Sequence, residues 1–283
     1  MKLEELRRAT VKRLEEVYPR GEALWLWREM LMRIKGWGQV ELAIKAGDEV
    51  SEYLQRKVEE VTERLLRKEP VQYIFGMAEF YGLQLKVTPD VLIPRPETAE
   101  MVDMIVKWAD GRTDLRVLDL CTGSGCIAVA LARNLKFAQI AAIDLSSKAL
   151  AVAAENVKAL KVKVNLKLGD ALQLKDETSP KYDIIVSNPP YIAESERASM
   201  DSNVVDHEPQ MALFVPDSDP LRFYHAIARY AMTALVSSGV LYFEINPLYA
   251  IRLREELQQQ GWDDVVVEAD MQGLNRFIHC VHP

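Results

Sequence analysis

Apolar positions in this chain hold one spacing for about seventy residues and then change it twice. Leu3, Leu6, Leu14 and Val17, then Ala23 to Ile34, then Val50, Leu54, Val58, Val61 and Leu65 recur at helical intervals. Pro19-Arg20-Gly21 and Gly36-Trp37-Gly38 punctuate these segments, and Pro70 stops the last. Between Phe80 and Ile93, in FYGLQLKVTPDVLI, the period falls towards two, with turn chemistry at Tyr81-Gly82 and Thr88-Pro89-Asp90. This predicts a β-hairpin.

From Glu97 onward strand and helix patterns alternate. Strands are predicted at 116–120, 140–144, 164–168, 182–187 and 240–245, with helices after 120, over 147–160, near 221–235 and over 248–260. Near-continuous apolar strands in such an alternation indicate a parallel sheet covered by helices on both faces. The closing strands, 265–268 and 276–281, have only the MQGLN turn region between them, which makes them an antiparallel hairpin. The expected division is a helical domain over 1–75, a hairpin linker over 76–96, and an α/β domain of Rossmann-like, doubly wound type over 97–283.

Composition narrows the function. The 283 residues are 49% hydrophobic and 27% charged, an ordinary globular balance. A net charge of −7 disfavours a nucleic-acid partner held through its phosphates. No apolar run is long enough to span a bilayer and the N-terminus lacks a signal-peptide core, so a cytoplasmic protein without a membrane partner is expected. Cys121, Cys126 and Cys280 form neither a disulfide framework nor a zinc-ligand spacing, so no metal is expected.

Candidate chemistry begins at DLCTGSGCIAVALA, residues 119–132. Gly123 and Gly125 let backbone N–H groups approach a ligand, and the next helix offers its positive end. Asp144, at the end of the following strand, is placed to hold ribose hydroxyls. A dinucleotide dehydrogenase and an S-adenosylmethionine methyltransferase share this geometry. Asp170, after the third strand, suits either an adenine neighbour or an ordinary turn aspartate.

SNPPYI, residues 187–192, separates those two enzymes. In the strand order 3-2-1-4-5 it faces the same cleft as the glycine loop. Asn188 offers an amide oxygen, Pro189 and Pro190 stiffen the loop and leave carbonyls free, and Tyr191 supplies a flat wall with a polar tip. Paired acceptors beside an aromatic ring suit a planar –NH2 substrate. Such a nitrogen is a poor nucleophile because its lone pair is delocalised, and acceptors placed for its transition state help it attack a sulfonium methyl. Hydride transfer has no use for them.

At this point the chain resembles the HemK/PrmC family, the N5-glutamine methyltransferases of peptide chain release factors. EPVQYIFG, FYGLQLKV, VLIPRPET, VLDLCTGSGCIAVALA, SNPPYI, HEPQMAL and DMQGLNRF carry the likeness over nearly the whole chain. The resemblance implies a class I methyltransferase fold of seven strands with the last antiparallel. It implies an S-adenosylmethionine site at Cys121, Thr122, Gly123, Ser124 and Gly125, with Asp144 on the ribose, Asp170 and Ala171 around adenine, and Asn188 beside them. Asn188, Pro189, Pro190 and Tyr191 would hold the target glutamine and carry catalysis, and Arg95, Glu97 and Thr98 of IPRPET would order the cleft. The implied substrate is a class I release factor, methylated on the glutamine of its Gly-Gly-Gln loop and docked by the N-terminal bundle, with S-adenosylhomocysteine as the other product. N-P-P-Y is shared with adenine-N6 methyltransferases of nucleic acids, the alternative enzyme; a non-catalytic S-adenosylmethionine-binding adaptor is a third reading. Cys121 and Asn246 stand where the family favours glycine, and Phe214 to Pro220 lacks glycines usual there.

Overall fold

The computed structural model describes residues 1–175 and 182–283. In chain order the first helices are α1 (Leu3–Leu14), α2 (Arg20–Lys35), α3 (Gln39–Ile44), α4 (Glu52–Leu66) and α5 (Val71–Phe75). Strands β1 (Met77–Phe80) and β2 (Leu83–Lys86) follow, then α6 (Pro96–Trp108). Alternation begins with β3 (Arg116–Leu120), α7 (Cys126–Asn134), β4 (Gln139–Asp144), α8 (Ser147–Leu160), β5 (Val164–Leu168) and β6 (Tyr182–Ser187). Short elements come next: β7 (Ile192–Ala193), α9 (Ser202–His207), α10 (Gln210–Leu213) and β8 (Phe214–Val215). The chain closes with α11 (Arg222–Ala234), β9 (Leu235–Glu244), α12 (Ala250–Gln259), β10 (Asp263–Ala269) and β11 (Asn275–Val281).

Two compact units result: Met1–Gly76 with Asp201–His207, and Met77–Met200 with Glu208–Pro283. This grouping differs from the division expected from sequence. The hairpin stands with the second unit, and α9 stands with the first, where Lys68 Nζ donates to Ser202 Oγ at 3.0 Å. In the first unit the helical stripes meet as expected, with Leu14, Trp27, Met30, Leu31, Leu54 and Leu65 fully buried in one core. Gly36, at φ 69°, ends α2 in the left-handed conformation that glycine adopts without steric cost.

The β1–β2 hairpin lies earlier than the alternation suggested. Phe80 pairs with Leu83 around Tyr81 and Gly82, both at positive φ (49° and 71°), which is a two-residue turn whose twist suits a hairpin. Thr88-Pro89-Asp90 does turn, with Val91 N–H donating to Thr88 O at 3.0 Å, but no strand follows it.

In the second unit the seven-stranded sheet runs β10-β11-β9-β6-β3-β4-β5, parallel except for β11, which is antiparallel to both neighbours. For the first five strands of this sheet that is the order 3-2-1-4-5. Period-two alternation splits the core in two. Leu118, Leu120, Ile185, Leu241 and Phe243 pack under α11 and α12, while Val117, Ile184, Val186, Val240 and Tyr242 pack with residues of α6 and α7.

One buried amide ties the hairpin to this layer. Asn156 on α8 accepts from Lys86 N–H at 2.6 Å and donates to the carbonyls of Lys86 and Ser124 at 3.0 and 2.9 Å. Replacing it leaves three backbone groups without partners. Asn156→Ala is therefore expected to lower unfolding free energy by about 2–4 kcal/mol, measured by urea denaturation.

Candidate active site

Parallel pairing sets Leu120 of β3 level with Ile143 on β4 and Ser187 on β6. The segments after them therefore leave the sheet side by side: Cys121–Gly125, then Asp144 onward, then Asn188–Tyr191. Ser187 Oγ donates to Leu120 O at 2.7 Å and fastens the first to the third.

The glycine loop needs left-handed backbone three times, at Cys121 (φ 60°), Gly123 (55°) and Gly125 (79°). At Gly125 a Cβ would also come within 3.1 Å of the Ala153 Cβ, so glycine is required. Cys121 carries a side chain into the same conformation, at a cost of about 1–2 kcal/mol. Asp144 pins the loop: its Oδ2 accepts from Gly123 N–H and its Oδ1 from Ser146 N–H, both at 2.8 Å. Burial pushes this carboxyl up, and those bonds oppose the shift.

A second carboxyl lies beneath the loop. Alternation along β3 turns Asp119 towards α7, fully buried. Its Oδ2 accepts from the Thr122 hydroxyl at 2.5 Å and from Ala128 N–H at 3.2 Å, whereas Oδ1 and the nearby Ser124 Oγ have no partner. Burial pushes Asp119 up to about 7. Its place as the first residue of DLCTGSG was legible, but nothing local announced that it would be buried.

These loops enclose a cavity of about 950 Å³ counted to its open mouth. Of the residues expected at a site, Cys121, Thr122, Gly123, Ser124, Asp144, Asp170, Ala171, Asn188, Pro190, Arg95 and Thr98 line it. Gly125, Pro189, Tyr191 and Glu97 are not on its wall. Gly125 caps α7, and Glu97 accepts from Gln272 Nε2 at 3.4 Å, towards the 270–274 turn. Asp170 serves its own turn as well as the wall, accepting from Leu172 N–H and Gln173 Nε2, each at 2.8 Å.

Three side chains far apart in sequence meet behind Asn188. Its Nδ2 donates to Thr98 Oγ1 at 3.2 Å, and Thr98 Oγ1 donates to Glu244 Oε2 at 2.6 Å. Glu244 ends β9 at 1% exposure and also accepts from the Tyr191 hydroxyl at 3.1 Å. Burial pushes its carboxyl up, while the two hydroxyls and Arg276 pull it down. The sequence analysis gave Glu244 no role, although a charge closing the apolar run VLYF was a usable signal.

Asp90, Val91, Leu92, Pro94, Pro209, Met211 and Ala212, given no individual role above, also line the cavity. Buried Glu208 ties the segment holding Pro209 to the 90–95 segment, paired with Arg95 Nη2 and accepting from Ile93 N–H at 3.1 Å. Two departures from the family pattern brace the loop after Asn188. Asn246 Nδ2 donates to Tyr191 O at 3.2 Å and Glu196 Oε1 at 2.8 Å, and Phe214 pairs with Ile192 in the short parallel β7–β8 contact.

The residues suit S-adenosylmethionine. Asp144 and Asp170 on the cavity wall offer carboxyl acceptors to hydroxyl and amino donors of such a ligand, and Asp119 lies buried beneath the loop with its Oδ1 unpartnered. Ile143, Leu145, Ala171 and Phe223 give the cavity its apolar share.

Known proteins similar to this chain cover nearly its whole length. Residues 101–210 match the Methyltransferase small domain family and residues 5–76 the PrmC N-terminal domain. The chain is 44% identical over 268 residues to the release factor glutamine methyltransferase of Bacteroides thetaiotaomicron, covering 94% of this chain and 95% of that one. It is 41% identical over 223 residues to the protein of the same name from Flavobacterium psychrophilum, covering 78% of each. Among solved structures, a methyltransferase from Pyrococcus furiosus shares the fold, with a TM-score of 0.52 at 14% identity over 79% of this chain and 98% of that one. No helix of the described residues is long and apolar enough to cross a membrane.

Asp119 makes the stability of the ligand-free protein depend on pH. Its carboxyl keeps a proton up to about pH 7 when folded, but an unfolded aspartate releases it near ~3.9. The folded state thus binds more protons between those values, and the wild type loses stability as pH rises through them. Asp119→Asn keeps the acceptor for Thr122 without the charge. It is expected to raise unfolding free energy by about 2–3 kcal/mol more at pH 8 than at pH 5, measured by urea denaturation at both.

Proposed function

We propose how a chain that belongs to the release factor glutamine methyltransferase family performs its reaction with the residues described above. The protein transfers a methyl group from S-adenosylmethionine to the side-chain amide nitrogen of a glutamine in a peptide chain release factor. The acceptor is the glutamine of the Gly-Gly-Gln loop of class I factors, and the N-terminal helices dock the body of that substrate.

S-adenosylmethionine, when bound, supplies an electrophilic methyl group on its sulfonium. The 121–125 loop and the positive end of α7 would hold the cofactor, with Asp144 on its ribose hydroxyls and Asp170 and Ala171 beside its base. The observation that carries the reading is Asn188, whose amide stands on the cavity wall beside the glycine loop with its Nδ2 already bonded to Thr98. Its Oδ1 is left to accept a hydrogen bond from the substrate –NH2, and the carbonyl of Pro189, next in the chain although off the cavity wall, would accept from the second N–H. Held by two acceptors, the nitrogen is oriented for in-line attack and stabilised as positive charge develops on it. The proton to be lost becomes acidic only after the methyl arrives, so no residue has to remove it first.

Incubation with methyl-labelled S-adenosylmethionine tests the reaction. Label is expected on the release factor, absent from its Gln→Ala loop variant and absent from DNA; label on DNA adenine, or on the Gln→Ala variant, overturns it. Asn188→Ala is expected to lower kcat by roughly 100-fold or more, by analogy with removal of one charge-stabilising group, while cofactor affinity by calorimetry stays within about threefold. For Asp144→Ala the expected effect is on affinity, a loss of about 10- to 100-fold for an ionised hydrogen-bond partner.

A further inference from the structure

Asn188 works as an acceptor only if its amide faces the right way. An asparagine side chain is nearly symmetrical in shape, and turning it over would present –NH2 to the substrate –NH2 in place of oxygen. Something must choose between the two orientations. The two residues that follow it cannot, because Pro189 and Pro190 supply no N–H to the amide oxygen.

The choice is made by counting protons. Glu244 is a buried carboxylate, and when ionised it can only accept. Both its oxygens are in use, Oε2 with Thr98 Oγ1 at 2.6 Å and Oε1 with the Tyr191 hydroxyl at 3.1 Å. Thr98 has a single hydroxyl proton, and the shorter, charge-assisted bond to Glu244 takes it. Towards Asn188, 3.2 Å away, Thr98 Oγ1 can then only accept. Nδ2 must face Thr98, and Oδ1 is turned away from it.

We propose that Glu244, acting through Thr98, is a positioning residue that sets the amide orientation of Asn188. The inference rests on the reading that Asn188 accepts from the glutamine amide. Around Glu244, burial and Glu97 of α6 push its carboxyl up, while the Thr98 and Tyr191 hydroxyls and Arg276 of β11 pull it down; the Tyr224 hydroxyl of α11 donates to its backbone oxygen at 3.1 Å. The same carboxylate aligns Tyr191, so one buried charge orients both ends of N-P-P-Y.

Steady-state kinetics on purified full-length variants, with a release factor as substrate and cofactor affinity from calorimetry, tests the relay. Thr98→Val keeps the shape and removes the hydroxyl; kcat is expected to fall by about 10- to 100-fold, the scale of one misaligned catalytic contact, with cofactor affinity unchanged within about threefold. Thr98→Ser restores the hydroxyl and is expected to return kcat to within about threefold of wild type on the same scale. Glu244→Met, close in volume and without acceptors, is expected to behave as Thr98→Val does. Because the effect passes through Asn188, Thr98→Val with Asn188→Ala should be no slower than Asn188→Ala alone. Near-normal kcat in Thr98→Val beside an inactive Asn188→Ala overturns the relay and leaves the parent reading standing, and so does failure of Thr98→Ser to rescue. Near-normal kcat in Asn188→Ala overturns the parent reading itself.

Discussion

The site depends on the parallel pairing of β3 with its two neighbours. β3 is the strand at which the chain reverses its direction of travel across the sheet, with β4 on one side and β6 on the other. Helices following neighbouring strands at such a point go to opposite faces, and a crevice opens between them. Register then fixes which atoms meet there. Leu120 level with Ser187 puts the glycine loop and Asn188 on one edge, and Ser187 with Phe243 on β9 brings Glu244 level with Asn188. A slip of one residue in either pairing would turn each of these side chains to the other face.

Two buried carboxyls at that edge illustrate opposite solutions to one electrostatic problem. Removing a carboxylate from water is costly unless its oxygens find donors. Glu244 has a hydroxyl on each oxygen and a guanidinium nearby, and it is held by groups from α6, the Asn188–Tyr191 loop and β11. Asp119 has donors on one oxygen only; burial pushes both carboxyls up, Asp119 to about 7. The satisfied carboxyl holds Thr98 and Tyr191 behind Asn188, while the half-satisfied one lies under the glycine loop.

Asn246, Phe214 and Cys121, expected from the resemblance to depart from the family pattern, each have a definite place in the fold. Asn246 does what glycine could not, bridging Tyr191 O and Glu196 while its Oδ1 accepts from Leu248 N–H at 3.0 Å. Phe214 joins β8 to β7, and the Arg197 guanidinium lies 3.9 Å over its ring. Both act on the segment just after N-P-P-Y. Cys121 fits differently, since its left-handed backbone is the strained element of the loop and its thiol, pushed well up by burial, stays protonated.

The sequence by itself determined the helical first segment, the alternation of strands and helices, the strand order through β9, and the placing of the glycine loop, Asp144 and Asn188 at the ends of neighbouring strands. Each is written in neighbouring residues, as a hydrophobic period, a turn dipeptide or a short motif, and local physics reads such signals without knowing the rest of the chain. Tertiary structure decided where the hairpin begins, the placing of Asp201–His207 with the first unit, and the meeting of Asn188 with Thr98, 90 positions away, and of Thr98 with Glu244, 146 positions away. No periodicity links residues at such separations. Their contact exists because strand register and the direction of α6 bring three side chains to one point, where the Thr98 hydroxyl stands between the Asn188 amide and the Glu244 carboxyl.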